Sequence, residues 1–226
     1  SPLGADDAQA LSGFLQSFPS MEVRNLLGNV GATEYVVKNP SGAPHIAFFD
    51  CGTKAHIIDL LAELGARVSV FPSTAGAEEI RNSGADACAI SNGPGDPGVL
   101  ERQVQTVSGL LDRMPLLGVC LGHQLIAEAL QAKTYKMKFG HHGVNHPVRD
   151  EESGKVFVTS QNHGFAVDEA SLPDDVTVRF RNANDSSVEG ISSRDHAVLT
   201  AQFHPEAAPG PHDCRWIFRE FVQSLS

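Results

Sequence analysis

Cysteine is scarce in this sequence and never closely spaced: Cys51, Cys88, Cys120 and Cys214 are the only four in 226 residues, with no Cys-x-x-Cys pair. Neither a disulfide framework nor a thiolate zinc centre is expected, and this usage fits a reducing cytoplasm. Long apolar runs are missing too. No stretch approaches the ~20 residues of a membrane span, and the start, Ser1-Pro-Leu-Gly-Ala-Asp-Asp, has neither the basic nor the apolar region of a secretory signal. It also lacks an initiator methionine, so the chain is expected to be a processed product or one piece of a larger protein. Positive charge is in deficit. Seventeen Lys and Arg against 27 Asp and Glu leave a formal charge of −10, which repels phosphate backbones and anionic lipid and sets aside nucleic acid and membranes as partners. No Gly-x-x-x-x-Gly-Lys-Ser/Thr loop occurs, so no nucleotide site is expected on this chain.

What is present reads as one soluble globular domain with a well-buried core, 41% apolar and 19% charged. Residues 1–43 carry a weak helical pattern around Ala8 to Phe18 and end in the turn formers Asn39-Pro-Ser-Gly-Ala-Pro44, which read as a linker. From residue 44 to 226, short β-rich runs first alternate with helix-length amphipathic stretches. His45–Asp50 precedes Lys54–Leu64, Arg67–Phe71 precedes Ala77–Asn82, Asp86–Ser91 precedes Val99–Arg113, and Leu116–Val119 precedes Gly122–Gln131. After Ala132 several strand-like runs follow in succession, Tyr135–Phe139, Lys155–Ser160, Val176–Arg181 and Ala197–Phe203, before a last helical stretch near Asp213–Leu225. The expectation is a three-layer α/β domain: an open, mostly parallel sheet with helices on both faces and an antiparallel extension.

The sharpest local signal is Leu117-Gly118-Val119-Cys120-Leu121-Gly122-His123-Gln124, a buried-strand run meeting a helix at Gly-x-Cys-x-Gly. Such a turn holds a nucleophile in a strained conformation that needs small neighbours and aims helix amides at it. The positive helix end should favour the attacking thiolate. A thiol that attacks an amide needs a base and a group to orient the base, and His204-Pro205-Glu206 supplies both after the strand-like run to Phe203. In extended chain, residues two apart project to one side, which would set Glu206 beside His204. The third signal is Ser91-Asn92-Gly93-Pro94-Gly95-Asp96-Pro97-Gly98, at the carboxyl end of an expected strand, where open α/β sheets hold ligands. It matches the letters of a dinucleotide loop, but Pro94 and Pro97 remove donors that a pyrophosphate requires. A rigid loop offering the Gly95 amide to an oxyanion is the better use.

Together these three loops resemble the class I glutamine amidotransferase family, over roughly residues 44–226. Three longer strings bring the resemblance to the glutaminase domain of the carbamoyl phosphate synthetase small subunit: Lys136 to Pro147, Gln161-Asn-His-Gly-Phe-Ala-Val-Asp168, and Gln202 to Asp213. The resemblance implies that Cys120 attacks the side-chain amide of glutamine, His204 carries the proton to the leaving ammonia and Glu206 holds the imidazole. The amides of Leu121 and Gly95 would face the oxyanion; Gly93, Gln124, Asn162, Gly164 and Phe165 would hold the rest of glutamine. It implies a carbamoyl phosphate synthetase large subunit or fused synthetase domain as partner, with ATP on that partner, and an interface role for Lys136–His146. Residues 1–43 correspond to an inter-domain connection. Two departures stand out: the family's small subunit carries an additional amino-terminal domain that contributes to glutamine binding, and Val144 occupies a position where glycine is commoner.

Ten histidines, among them His141, His142 and His163, raise the question of a metal. No converging set of carboxylates or thiolates is visible in the sequence, so no metal site is expected. Two other readings stay open: the glutaminase domain of another synthetase, of anthranilate or GMP type, and a docking module that no longer hydrolyses glutamine.

Overall fold

The computed structural model describes residues 5–18 and 24–225, so the expected connection over residues 1–43 lies partly outside the described residues. Helix α1, Ala5–Ser17, comes first. Strand β1, Val36–Lys38, lies within the segment read as a linker and pairs antiparallel with β3, Arg67–Pro72. The Asn39-to-Pro44 stretch forms a turn, Gly42 N–H donating to Asn39 C=O, and the Asn39 amide ties it to the carbonyls of Gly65 and Ala66. Beyond it, β2 (His45–Asp50), α2 (Ala55–Glu63), β3, α3 (Ala77–Asn82), β4 (Ala87–Ile90), α4 (Glu101–Ser108), β5 (Leu116–Val119) and α5 (Leu121–Ala129) give the expected alternation.

The remaining elements are β6 (Thr134–Asp150), β7 (Val156–Val167), β8 (Thr177–Asn182), β9 (Val188–Ser193), β10 (Val198–Ala201) and α6 (Trp216–Gln223). One sheet holds the described strands in the order β1-β3-β2-β4-β5-β10-β9-β8-β6-β7. Its centre, β3-β2-β4-β5-β10, is parallel, and the pairings from β10 out to β7 are antiparallel. The parallel strands are buried on both faces, which is why they read as continuous apolar runs.

Alternation along each strand feeds two cores. Ala47, Phe49, Ile90 and Leu116 pack with Ile80, Val107, Leu125 and Ile126 of α3, α4 and α5 on one face. Ile46, Phe48, Ala89 and Leu117 pack with Ile57, Leu61, Phe218 and Phe221 of α2 and α6 on the other. Each fully buried large side chain, such as Phe48 or Phe49, contributes roughly 1.5–3 kcal/mol by leaving water. The loops leaving the carboxyl ends of β2, β4, β5 and β10 thereby meet above one edge of a rigid platform. No helix among the described residues is long and apolar enough to cross a membrane.

Candidate active site

Cys120 stands between β5 and α5 at φ 53°, ψ −102°, a conformation that costs an L-residue energy and persists only where its surroundings enforce it. The enforcement is visible on both sides. A Cβ on Gly118 would come within 2.7 Å of the Gly122 backbone, and one on Gly122 within 2.2 Å of the Ile90 carbonyl oxygen. The Cys120 N–H is anchored to the Ala201 C=O on β10 at 2.8 Å. Its thiol receives the Gln202 Nε2–H at 3.7 Å and lies at the start of α5, whose first amides point outward unpaired.

His204 and Glu206 follow β10. The strand ends at Ala201, and a turn at Pro205-Glu206, rather than extended chain, brings the two side chains together. His204 Nδ1 and Glu206 Oε1 are 2.7 Å apart, and both groups are buried. Lys54 Nζ approaches the same carboxylate oxygen at 3.3 Å from the loop after β2. Burial works against a charged His204, but the neighbouring Cys120 and Glu206 outweigh it and raise the imidazole pKa to about 10. Burial likewise pushes Glu206 up, and the His204 hydrogen bond and charge, with Lys54, hold it below its ordinary value instead. The carboxylate thus holds the imidazole and favours its charged form, with the thiol on the imidazole's other side.

The Gly93-Pro94-Gly95 loop closes a second wall. A Cβ on Gly93 would sit 2.2 Å from the Cys51 carbonyl oxygen, and Gly95 is at φ +110°, so both positions require glycine. Opposite, β7 presents Asn162, Gly164 and Phe165. These residues, with Cys120, Gln124 and His204, line one cleft of about 550 Å³. Gln124 Nε2 donates to the Phe165 C=O at 3.0 Å and to Gln202 Oε1 at 2.9 Å, tying α5 to β7 and β10. Two expected site residues do not line it. Glu206 lies behind His204, and the Leu121 side chain packs into the core against Gly93, leaving only its backbone amide at the elbow.

The structure adds residues that were not assigned from the sequence. Gln202 touches both Cys120 and Gln124; its position two before His204 is the available signal. Asn92 accepts from the Lys54 N–H at 3.1 Å and donates to the Gly52 C=O at 3.2 Å, so it fixes the loop that carries Lys54. Lys54 itself has no local signal, because its partner Glu206 is 152 positions away.

A nucleophile and a base facing one cleft between rigid glycine turns, with an orienting acid behind the base, are the parts of a thiol-dependent acyl transfer. Comparison with known proteins points the same way. The family model described as "Glutamine amidotransferase class-I" matches residues 47–224. The chain is 45% identical over 218 residues to the carbamoyl phosphate synthase small chain of Akkermansia muciniphila, covering 92% of this chain and 59% of that one. It is 43% identical to the small chain of Chlorobaculum tepidum, covering 97% and 61%. The chain thus spans about three fifths of the length of these curated relatives. Among solved structures, a Thermoplasma acidophilum protein described as a putative GMP synthase subunit superposes with a TM-score of 0.70 at 25% identity, covering 80% of this chain and 93% of that one. PurLQS from Thermotoga maritima, at 16% identity and a TM-score of 0.65, shares the fold, covering 81% of this chain and 99% of that one. The chain belongs to the class-I glutamine amidotransferase family.

Proposed function

We propose that residues 44–226 are a glutamine amidotransferase domain that hydrolyses glutamine to glutamate and ammonia through a thioester on Cys120. The observation that carries the reading is the strained Cys120 beside His204, with Glu206 2.7 Å behind it. The Cys120 thiol passes its proton to His204 and its sulfur bonds to the side-chain carbonyl carbon of glutamine. The Leu121 and Gly95 amides stabilise the oxyanion, and His204 returns the proton to the nitrogen as the C–N bond breaks and ammonia leaves. Water, deprotonated by His204, then cleaves the thioester to glutamate and the free thiol. Gly93, Gln124, Asn162, Gly164 and Phe165 hold the substrate's remaining groups.

The ammonia serves a carbamoyl phosphate synthetase large subunit or fused synthetase domain, in the cytoplasm, with residues 1–43 as the connection to a preceding domain. ATP belongs to that partner. The 43–45% identity to carbamoyl phosphate synthase small chains, against 25% to the putative GMP synthase protein, favours this branch over other synthetases. The complete Cys120, His204 and Glu206 set counts against a docking module without activity. The test is to supply glutamine and assay glutamate and ammonia together, with Cys120→Ala in parallel, then add a carbamoyl phosphate synthetase large subunit with ATP and bicarbonate. Stoichiometric release that needs Cys120, and glutamine-dependent carbamoyl phosphate from the mixture, are expected. Failure of the mixture to use glutamine would refute the partner assignment.

A further inference from the structure

At the wall of the cleft formed by Asn162–Phe165, the antiparallel extension gathers His141 of β6, the cleft-lining His163 of β7 and Glu189 of β9. All three are buried, and one ligand atom from each lies within 4.8 Å of the others. The histidines are visible in the sequence but the converging carboxylate is not, because Glu189 belongs to a strand outside the expected elements.

The groups around these three are arranged as a second layer. His163 Nδ1 donates to the Phe165 C=O at 2.8 Å, which fixes the ring and leaves Nε2 with a free lone pair. His163 is 6% exposed, and that Nε2 is buried without a partner. His141 Nε2 meets the Asp185 carboxylate at 2.9 Å, so its Nδ1 is the nitrogen facing Glu189, 3.1 Å from Oε1. Asn182 and Gln161 orient the Glu189 carboxylate with donors at 2.9 and 2.8 Å. Two more buried atoms without partners belong to the surroundings: Gln161 Oε1, and Nδ1 of His146, whose ring lies 5.1 Å from that of His141. Buried polar atoms are nearly always satisfied, and the His163 Nε2 of this cluster is not. A histidine that faces a site with one nitrogen while a carboxylate or carbonyl holds the other is the usual support of a metal ligand.

We propose that His141 Nδ1, His163 Nε2 and a Glu189 oxygen form a binding site for a divalent transition ion of the zinc class. Two imidazoles and a carboxylate with one position left over is a donor set that zinc accepts. The His141–Glu189 separation of 3.1 Å is close to the roughly 3.3 Å between ligands on a tetrahedral ion with ~2.0 Å bonds. The ion replaces the proton shared by His141 and Glu189, and the charges of Glu189 and Asp185 balance its two positive charges. Gln161 Oε1 or water fills the fourth position. Since His163 precedes Gly164 and Phe165, a bound ion fixes the segment that lines the cleft.

The test uses the full chain carrying Cys120→Ala, which removes the thiol-imidazole pair as a competing site, and cobalt(II) as a visible probe. The expected result is a single equivalent of bound cobalt with d–d absorption and no thiolate charge-transfer band, displaced by zinc, with a melting temperature several degrees higher at saturation. Adding Glu189→Gln should abolish the spectrum. Asp185→Asn, at a half-exposed position that leaves the core intact, should weaken binding ~10- to 100-fold. No d–d bands in the folded chain would assign the free atoms to water and overturn the proposal. So would a thiolate charge-transfer band, or cobalt affinity unchanged by Asp185→Asn.

Discussion

Replacing Gly122 by alanine tests whether close packing at the elbow, rather than the cysteine alone, creates the site. The added methyl would lie 2.2 Å from the Ile90 carbonyl oxygen, 2.8 Å from its carbon and 3.1 Å from the Ile90 Cβ. Ordinary contact needs at least about 3.4 Å, so α5 must withdraw from β4 by roughly 1 Å, because Ile90 is fully buried backbone and cannot yield. Overpacking of this kind costs about 1–3 kcal/mol, a melting temperature about 2–12 °C lower in a chain of this size. The same movement carries Cys120 and the Leu121 amide out of line, and a displacement of about 1 Å in an aligned site costs on the order of 100-fold in rate. The assay is calorimetry together with glutamine-dependent kcat. Gly76→Ala is the control, since its Cβ meets nothing within 4 Å and its φ is −92°; it should stay within about 0.5 kcal/mol of the parent. Parental stability and kcat in Gly122→Ala would refute the steric account of the elbow.

Glu206→Gln keeps the shape behind His204 but removes the charge; kcat should fall on the order of 100- to 10,000-fold with the glutamine KM little changed, measured by steady-state glutamate release. Gln202→Leu leaves Gln124 without one of its two acceptors and Cys120 without a donor, and should raise the glutamine KM or lower kcat for a combined loss of roughly 5- to 100-fold in kcat/KM. Acid should destabilise the protein through two buried neutral histidines. Burial lowers His123 to about 3, and burial is also the largest influence on His163, at about 4, so below pH 6.5 the unfolded chain takes up protons that the folded one refuses. The loss begins near pH 6.5, reaches roughly 2 kcal/mol per histidine at pH 5, and continues until each folded value is passed. His204 acts oppositely: its pKa is raised, so its contribution is complete below about pH 6.5 and is lost as pH rises towards 10. Urea midpoints at pH 5, 7 and 9 should therefore peak near neutrality.

The parts of this site legible in the sequence are those whose physics is local. Gly118-x-Cys120-x-Gly122 announces a strand-to-helix corner by itself, and the strands His45–Asp50 and Leu116–Val119 have the expected ends because full burial demands unbroken apolar runs. What was not legible depends on distant partners. Strand β9 carries Glu189, Gly190 and two serines, and it is a strand because β8 and β10 flank it and because His141, Gln161 and Asn182 neutralise its buried glutamate. The strand-like run expected over Tyr135–Phe139 is one part of β6, which passes through the positive-φ Gly140 and Gly143, near the register shifts of a long β6–β7 hairpin, and continues to Asp150. The His204–Glu206 pair is expected from extended chain, whereas a turn after Ala201 makes it; the residues are the expected ones and the local geometry differs because Pro205 cannot extend the ladder.

The central claim is that Cys120, among four buried cysteines, is the one activated towards a glutamine carbonyl. Burial is the main cause that pushes Cys88 and Cys214 up to about 12 and raises Cys51 as well, so these three should stay inert thiols. Incubating the chain with an electrophile that mimics glutamine, followed by peptide mass spectrometry, reads this directly. A single adduct on the peptide containing Cys120, formed more slowly with free glutamine present and in His204→Ala, is the predicted result. An adduct on Cys51, Cys88 or Cys214, or none on Cys120 in the folded chain, would contradict it.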